Sequence, residues 1–171
     1  MSAEEPVIIV RGRVAKRVRE EAKKLGISVD EYFIDLITQG LDPKDRALEY
    51  AESAEELLTE AEEELKKGNV RQAAEKVWRA AALAVKAYAY WKEGKRLASH
   101  GDLWEYKRRL AEELGKWVHN SWASATEMHV CFYEGWCDRE EVENDLEQVR
   151  RLVKEVINRI RGALARDLPT V

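Results

Sequence analysis

The sequence VWRAAALAVKAYAYW, residues 77–91, decides how this chain folds, because of its fifteen positions only Arg79 and Lys86 are charged and the rest are apolar or aromatic. A helix that is apolar on nearly every side must be wrapped by others. Alanines at 80, 81, 82, 84, 87 and 89 let neighbouring backbones come close, and Trp78, Tyr88, Tyr90 and Trp91 fill space toward the two ends. The segment therefore predicts the central helix of a bundle. Its longest uncharged run is the six residues 80–85, whereas a membrane span needs roughly 20 apolar residues, so no membrane is expected.

Upstream, Ala47, Ala51, Ala54, Leu58, Ala61 and Leu65 recur by three and four and predict a long amphipathic helix to about Lys67. Between Asp45 and Glu64 its outer face carries nine acids and one base, Arg46. That face reads either as a docking surface for a basic protein partner or as a solvated flank. Gly68-Asn69 breaks the helix, and Asn69 is expected to cap the central one. There the charges reverse, with seven bases from Arg71 to Arg96 against Glu75 and Glu93. Glu75, Arg79, Lys86 and Tyr90 are offset by whole helical turns and form a polar stripe. Two readings of the stripe are open: an edge that reaches solvent through snorkelling side chains, or two partly desolvated cations making an anion pocket.

Downstream, residues 94–101 read as a loop holding Lys95, Arg96 and His100, with Asp102 and Glu105 as a capping box for the next helix. Leu103, Tyr106, Leu110 and Leu114 mark its inner face, and a break is expected near Gly115. In the following helical pattern Val118, Trp122, Ala125, His129, Phe132 and Trp136 lie close to one side. His129 and Tyr133, one turn apart, could donate to a bound phosphate or base, or could be core residues with satisfied polar tips. Asp138 caps a last helix whose Val142, Leu146, Val149, Val153, Val156 and Ile160 repeat like a bundle seam.

The chain opens with PVIIVRGR, a β-branched run that predicts a short strand. Val14, Val18, Ala22 and Leu25 then give a helix ended by Gly26, and Ser28 with Glu31 opens a second helix. Strand, helix, Gly-Ile-Ser turn and helix resemble the ribbon-helix-helix unit, which implies intertwined dimers whose paired strands enter the DNA major groove. Arg11, Arg13, Lys16 and Arg17 are the candidate nucleic-acid-binding residues on that reading. Val7, Ile8, Ile9 and Val10 offer the groove no polar side chain, so the alternative is a dimerisation ribbon or an arm packed on the bundle. Asp42-Pro43 marks the boundary.

At 171 residues with 36% charged residues and a net charge of -4, the chain suits one full domain with an appendage and carries no polyanion-binding excess of base. The apolar run near the start is too short for a secretion signal, and two cysteines, Cys131 and Cys137, fit a reducing compartment, so a cytoplasmic location is expected. Abundant Glu, Lys and Arg are compatible with a heat-adapted source. His129, Cys131 and Cys137 lack the spacing of a structural zinc site, no phosphate-binding Gly loop occurs, and neither metal nor cofactor is expected.

The order NVRQAAEKVWRAAALAVKAYAYW, then SHGDLW, then ATEMHVCFYEGW and an acidic helix resembles the archaeal PaREP proteins, helical proteins grouped with the HEPN and nucleotidyltransferase-substrate-binding bundles. The resemblance covers about residues 44–162. Arg79 departs from the small residue usual after that Trp. Some HEPN bundles are ribonucleases with an Arg, four to six intervening residues and then a His; none of His100, His119 or His129 has an Arg five to seven residues before it, and a lysine at 95 does not replace a guanidinium's fork.

Together these readings predict an all-α protein: an antiparallel up-and-down HEPN-like bundle over residues 42–166, preceded by a short strand-helix-helix arm over 1–41. The expected role is a non-catalytic, homodimeric binding module for a nucleotide or nucleic-acid-related ligand, with Arg79, Lys86, His100, His129 and Tyr133 as candidate contacts. A DNA-binding regulator working through the arm and a divergent ribonuclease are the alternatives.

Overall fold

In the computed structural model, which describes residues 6–169, seven α-helices carry the regular structure. They are α1 (Gly12–Leu25), α2 (Val29–Ile37), α3 (Pro43–Lys66), α4 (Val70–Glu93), α5 (His100–Leu114), α6 (Trp117–Glu134) and α7 (Arg139–Arg166). The chain divides into two compact units, residues 1–39 and 40–171.

In the first unit, α1 ends on Gly26, whose φ of 68° closes the helix in the left-handed region that glycine adopts without a Cβ clash. Ser28 Oγ then accepts from Glu31 N at 3.1 Å and starts α2. The expected strand is not formed: residues 6–11 have no regular structure, and Val7, Ile8 and Ile9 are 78, 90 and 69% exposed. A strand exists only where a second one completes its hydrogen-bond ladder, and the described residues supply none. Residues 1–5 of the expected arm lie outside the described residues.

The second unit is built on α4, which packs against α3, α5, α6 and α7, while α7 also packs on α3 and α6. Fifteen α4 residues are buried, and Ala80, Ala81, Ala84, Ala87 and Ala89 are fully so. Small residues on every side let four helices approach one, which places the residues 77–91 segment at the centre as its composition demands. The seam of α7 closes the core, with Val142, Leu146, Val149, Val153, Val156 and Ile160 all buried. Burying such side chains contributes roughly 1.5 to 3 kcal/mol each.

Helix ends follow local chemistry, with two corrections. Asp42 caps α3 by accepting from Lys44 N at 2.9 Å, ahead of Pro43, and Asp138 with Glu141 forms the capping box of α7. Asn69 stands at the start of α4 but makes no cap bond; its amide donates to Glu64 Oε2 at 2.7 Å instead. Asp102 does not cap α5 from outside. Ser99 is the cap and Asp102 the third residue of its box, accepting from Ala98 N and Ser99 N at 2.9 and 3.1 Å. Those backbone donors, Ala98 first, hold the Asp102 carboxyl below its usual range. The helix thus begins one turn earlier than expected, at His100.

Four acids of the α3 flank are answered from within. Glu60 takes Lys76 at 2.5 Å, Glu62 takes Arg150, and Glu52 and Glu55 take Arg161 at 3.2 and 3.7 Å. Part of the charge on α3 is thus met by bases of α4 and α7. Among the described residues, no helix is long and apolar enough to cross a membrane.

Candidate functional site

Three helices bring rings to one place in the second unit. On α4, Trp78 follows the AAEKV lead-in and is 8% exposed. On α5, the Ser99 cap makes His100 the first helical residue, and Trp104 follows one turn later. On α6, Trp122, His129 and Tyr133 are separated by seven and four residues and share a face.

Most of the rings meet edge to face, and Trp78 and His129 are tilted by 34°. Trp78 lies 4.5 Å from His129, 5.4 Å from Trp122 and 5.8 Å from His100, between ring centroids. The two imidazoles are 5.6 Å apart at an interplanar angle of 79°, and Tyr133 stands at 89° to His129 at 5.1 Å. Trp104 closes the other side at 6.0 Å from Trp122. Trp122 is the floor, 1% exposed, while His100, Trp104 and Tyr133 are exposed and His129 is half-buried. Edge-to-face pairs contribute about 0.5 to 1.5 kcal/mol each beyond area burial, so the cluster is a rigid wall with an open rim.

Burial pushes the His129 imidazolium below the usual histidine range, and the neighbouring His100 adds to the effect. At neutral pH His129 is therefore an uncharged ring with one donor and one acceptor nitrogen. Trp122 Nε1 is buried without a hydrogen-bond partner. Two imidazoles, a phenol and an indole face form a surface suited to a flat heteroaromatic ring with polar edges.

The end of α6 that carries His129 and Tyr133 is held from two sides. The Arg71 guanidinium of α4 donates to Phe132 O at 3.0 and 2.7 Å and to Tyr133 O at 3.0 Å. Cys131 and Cys137 are joined by a disulfide across six residues. Two cysteines fit a reducing compartment by count alone, but the Cα atoms of this pair lie 5.6 Å apart, within the range a disulfide spans. Gly135 caps α6 at φ 71°, and a Cβ there would stand 3.2 Å from the Arg71 side chain.

Of the candidate ligand contacts, His100, His129 and Tyr133 converge. Arg79 and Lys86 sit elsewhere on α4: the stripe they share with Tyr90 is turned roughly 80 to 120° from Trp78 at 100° per residue. Tyr90 on that stripe meets Tyr50 of α3 at 5.2 Å beneath the Arg46 guanidinium at 4.7 Å. Lys86 is only 8% exposed and Arg79 is half-buried. Trp78, Trp104 and Trp122 were missed as site residues; the four-residue step from His100 to Trp104 and the seven-residue step from Trp122 to His129 were the available signals.

In the first unit Arg11, Arg13, Lys16 and Arg17 are all exposed. Arg17 is paired with Glu21 at 3.2 Å, and Lys16 approaches Glu20 at 4.0 Å. Among the described residues no group of three or more His, Cys, Asp or Glu could hold a metal ion.

Residues 49–153 match the Archaeal PaREP1/PaREP8 family. No curated protein and no solved structure matches the chain.

Proposed function

The chain belongs to the archaeal PaREP1/PaREP8 family, and from that premise we propose that it is a non-catalytic binding module for a nucleotide or a nucleic-acid-related ligand. The observation that carries the reading is the convergence of His100 and His129 with Trp78 and Tyr133 on one partly open wall. Stacking of a base on aromatic rings contributes about 1 to 3 kcal/mol, and the imidazole edges can hydrogen-bond its polar edge. The HEPN-like, up-and-down bundle assignment rests on the motif resemblance, and the missing Arg-to-His spacing argues against ribonuclease chemistry. A panel of four nucleosides and their 5′-monophosphates titrated against tryptophan fluorescence tests the module. Saturable quenching in the parent, weakened at least tenfold by His129→Ala, is expected; a flat response to the whole panel refutes it.

The first unit supports a second reading. Val7, Ile8, Ile9, Val14, Phe33, Leu36 and Ile37 are exposed in a unit of 39 residues, too small to be stable on its own core. Pairing of residues 6–11 with the same segment of a second copy, as in ribbon-helix-helix proteins, gives a homodimer in the cytoplasm, and the exposed bases of α1 then suit DNA phosphates. Disulfides persist inside the cells of hyperthermophilic archaea, so the Cys131–Cys137 bond is compatible with that location. Sedimentation showing only a 19.8 kDa species at micromolar concentration removes the dimer. Duplex binding that survives deletion of residues 1–41 removes the DNA reading.

A further inference from the structure

One face of α5 extends beyond the ring wall. His100, Trp104 and Lys107 follow one another by four and three residues and so lie in one row, spanning about 10 Å of helix at 1.5 Å per residue. Lys107 is 6% exposed. Its ammonium sits 4.7 Å from the centroid of the Trp104 ring and 3.3 Å from His119 Nδ1 on α6. No carboxylate pairs with it among the described residues, and its contacts are these two rings. Burial first, then the neighbouring Arg108, push its pKa below the usual lysine range.

A buried cation without an anion is costly, and proteins ordinarily pair or neutralise it. The acids nearest in sequence are engaged elsewhere or face solvent: Glu113 accepts from the Tyr88 hydroxyl at 2.6 Å and pairs with Lys92 at 3.7 Å, while Glu105 and Glu112 are exposed. An ammonium has three donors, and His119 uses one of them. His119 Nδ1 can accept only with its proton on Nε2, which leaves that Nε2–H as a donor on the exposed imidazole. Cation–π contact with Trp104 offsets part of the desolvation without satisfying any N–H.

We propose that Lys107 and His119 form an anion subsite that takes the phosphate group of the ligand whose ring lies on the His100–His129–Trp78 wall. The inference rests on the nucleotide reading for the identity of the ring and adds to it the site of the charge. Trp104 joins the two halves, touching Trp122 on one side and covering the Lys107 ammonium on the other. A ring linked to a phosphate through a sugar has the layout of the row: a flat ring at the His100 end and an anion at the Lys107 end.

The experiment titrates the full chain with three classes of probe, namely the four nucleosides, their 5′-monophosphates and inorganic pyrophosphate, for the parent, Lys107→Met and His119→Ala. In the parent, the preferred monophosphate should bind at least tenfold more tightly than its nucleoside. Lys107→Met should bring the monophosphate down to the level of the nucleoside and leave the nucleoside unchanged within about twofold. His119→Ala should weaken the monophosphate alone, and Lys107→Met without ligand should melt at or above the parent. If pyrophosphate binds and depends on Lys107 while no nucleoside binds, the subsite stands and the ring reading falls. If nucleosides bind and a phosphate adds nothing, the subsite falls and the ring reading stands. A Lys107→Met protein that unfolds, or melts well below the parent, overturns the proposal by assigning the amine to the fold.

Discussion

Replacing Arg71 by Met should loosen the part of the site farthest in sequence from it. The guanidinium makes three hydrogen bonds to the last carbonyls of α6, at 2.7 to 3.0 Å, where an α-helix leaves up to four C=O groups without intrahelical partners. A bond to a charged group contributes about 1.5 to 3 kcal/mol when desolvated, but Arg71 is exposed and water replaces much of that. The favourable charge at a helix C-terminus adds about 0.3 to 1 kcal/mol. The expected loss is therefore about 1 to 2 kcal/mol, or roughly 3 to 7 °C for a chain of this size. Met keeps most of the aliphatic stem, so packing changes little. Because the Cys131–Cys137 bond restrains the same turn, the loss should be larger in reduced than in oxidised protein. Calorimetric melts with and without dithiothreitol, together with amide exchange of residues 130–135, read both effects. A shift under about 1 °C in both redox states, with exchange unchanged, refutes the claim that Arg71 holds this end of α6.

Opening the disulfide by Cys131→Ser should lower stability by roughly 2 kcal/mol on loop-closure entropy for a ring this short, read as a lower denaturant midpoint; an unchanged midpoint contradicts it. Ala84→Leu inserts a branched side chain where α4 is fully buried and should cost about 1 to 3 kcal/mol by overpacking, measured in the same assay. For His129, the folded pKa lies below the unfolded one, so the unfolded chain binds the extra proton first. Its contribution is complete above the unfolded value near 6.5 and is lost as pH falls from there toward the folded pKa. In His129→Phe the melting temperature should fall less between pH 7 and pH 5.5 than in the parent, and an identical fall in both counts against the assignment.

The centre of the fold was legible because fifteen consecutive residues with so few charges have one solution in water, and the periodic faces of α3 and α7 followed from spacing alone. Local competition between caps was not. Ser99 and Asp102 both offer a side-chain acceptor to α5, and the choice depends on the Asp102 carboxylate receiving Ala98 N and Ser99 N, a fact of the loop's path. Asn69 likewise found Glu64 rather than its own helix. The β-branched run at residues 7–10 signals a strand correctly in propensity, yet a strand is a property of a pair. At the site, His129 and Tyr133 were legible as neighbours one turn apart, but their meeting with His100 depends on where α5 packs. The Arg79 and Lys86 stripe drew attention because charge stands out in an alanine-rich helix. The tryptophans beside it looked like core, and the Trp104 indole over Lys107 has no sequence signature beyond a step of three.

The most direct measurement is the imidazole region of the proton–nitrogen NMR spectrum during titration with the preferred nucleoside. His100 and His129 should shift together along one saturation curve, while His119 on α6, beside Lys107 at the far end of the α5 row, should stay in place. Imidazole signals of His100 and His129 that do not move with any nucleoside of the panel contradict the account.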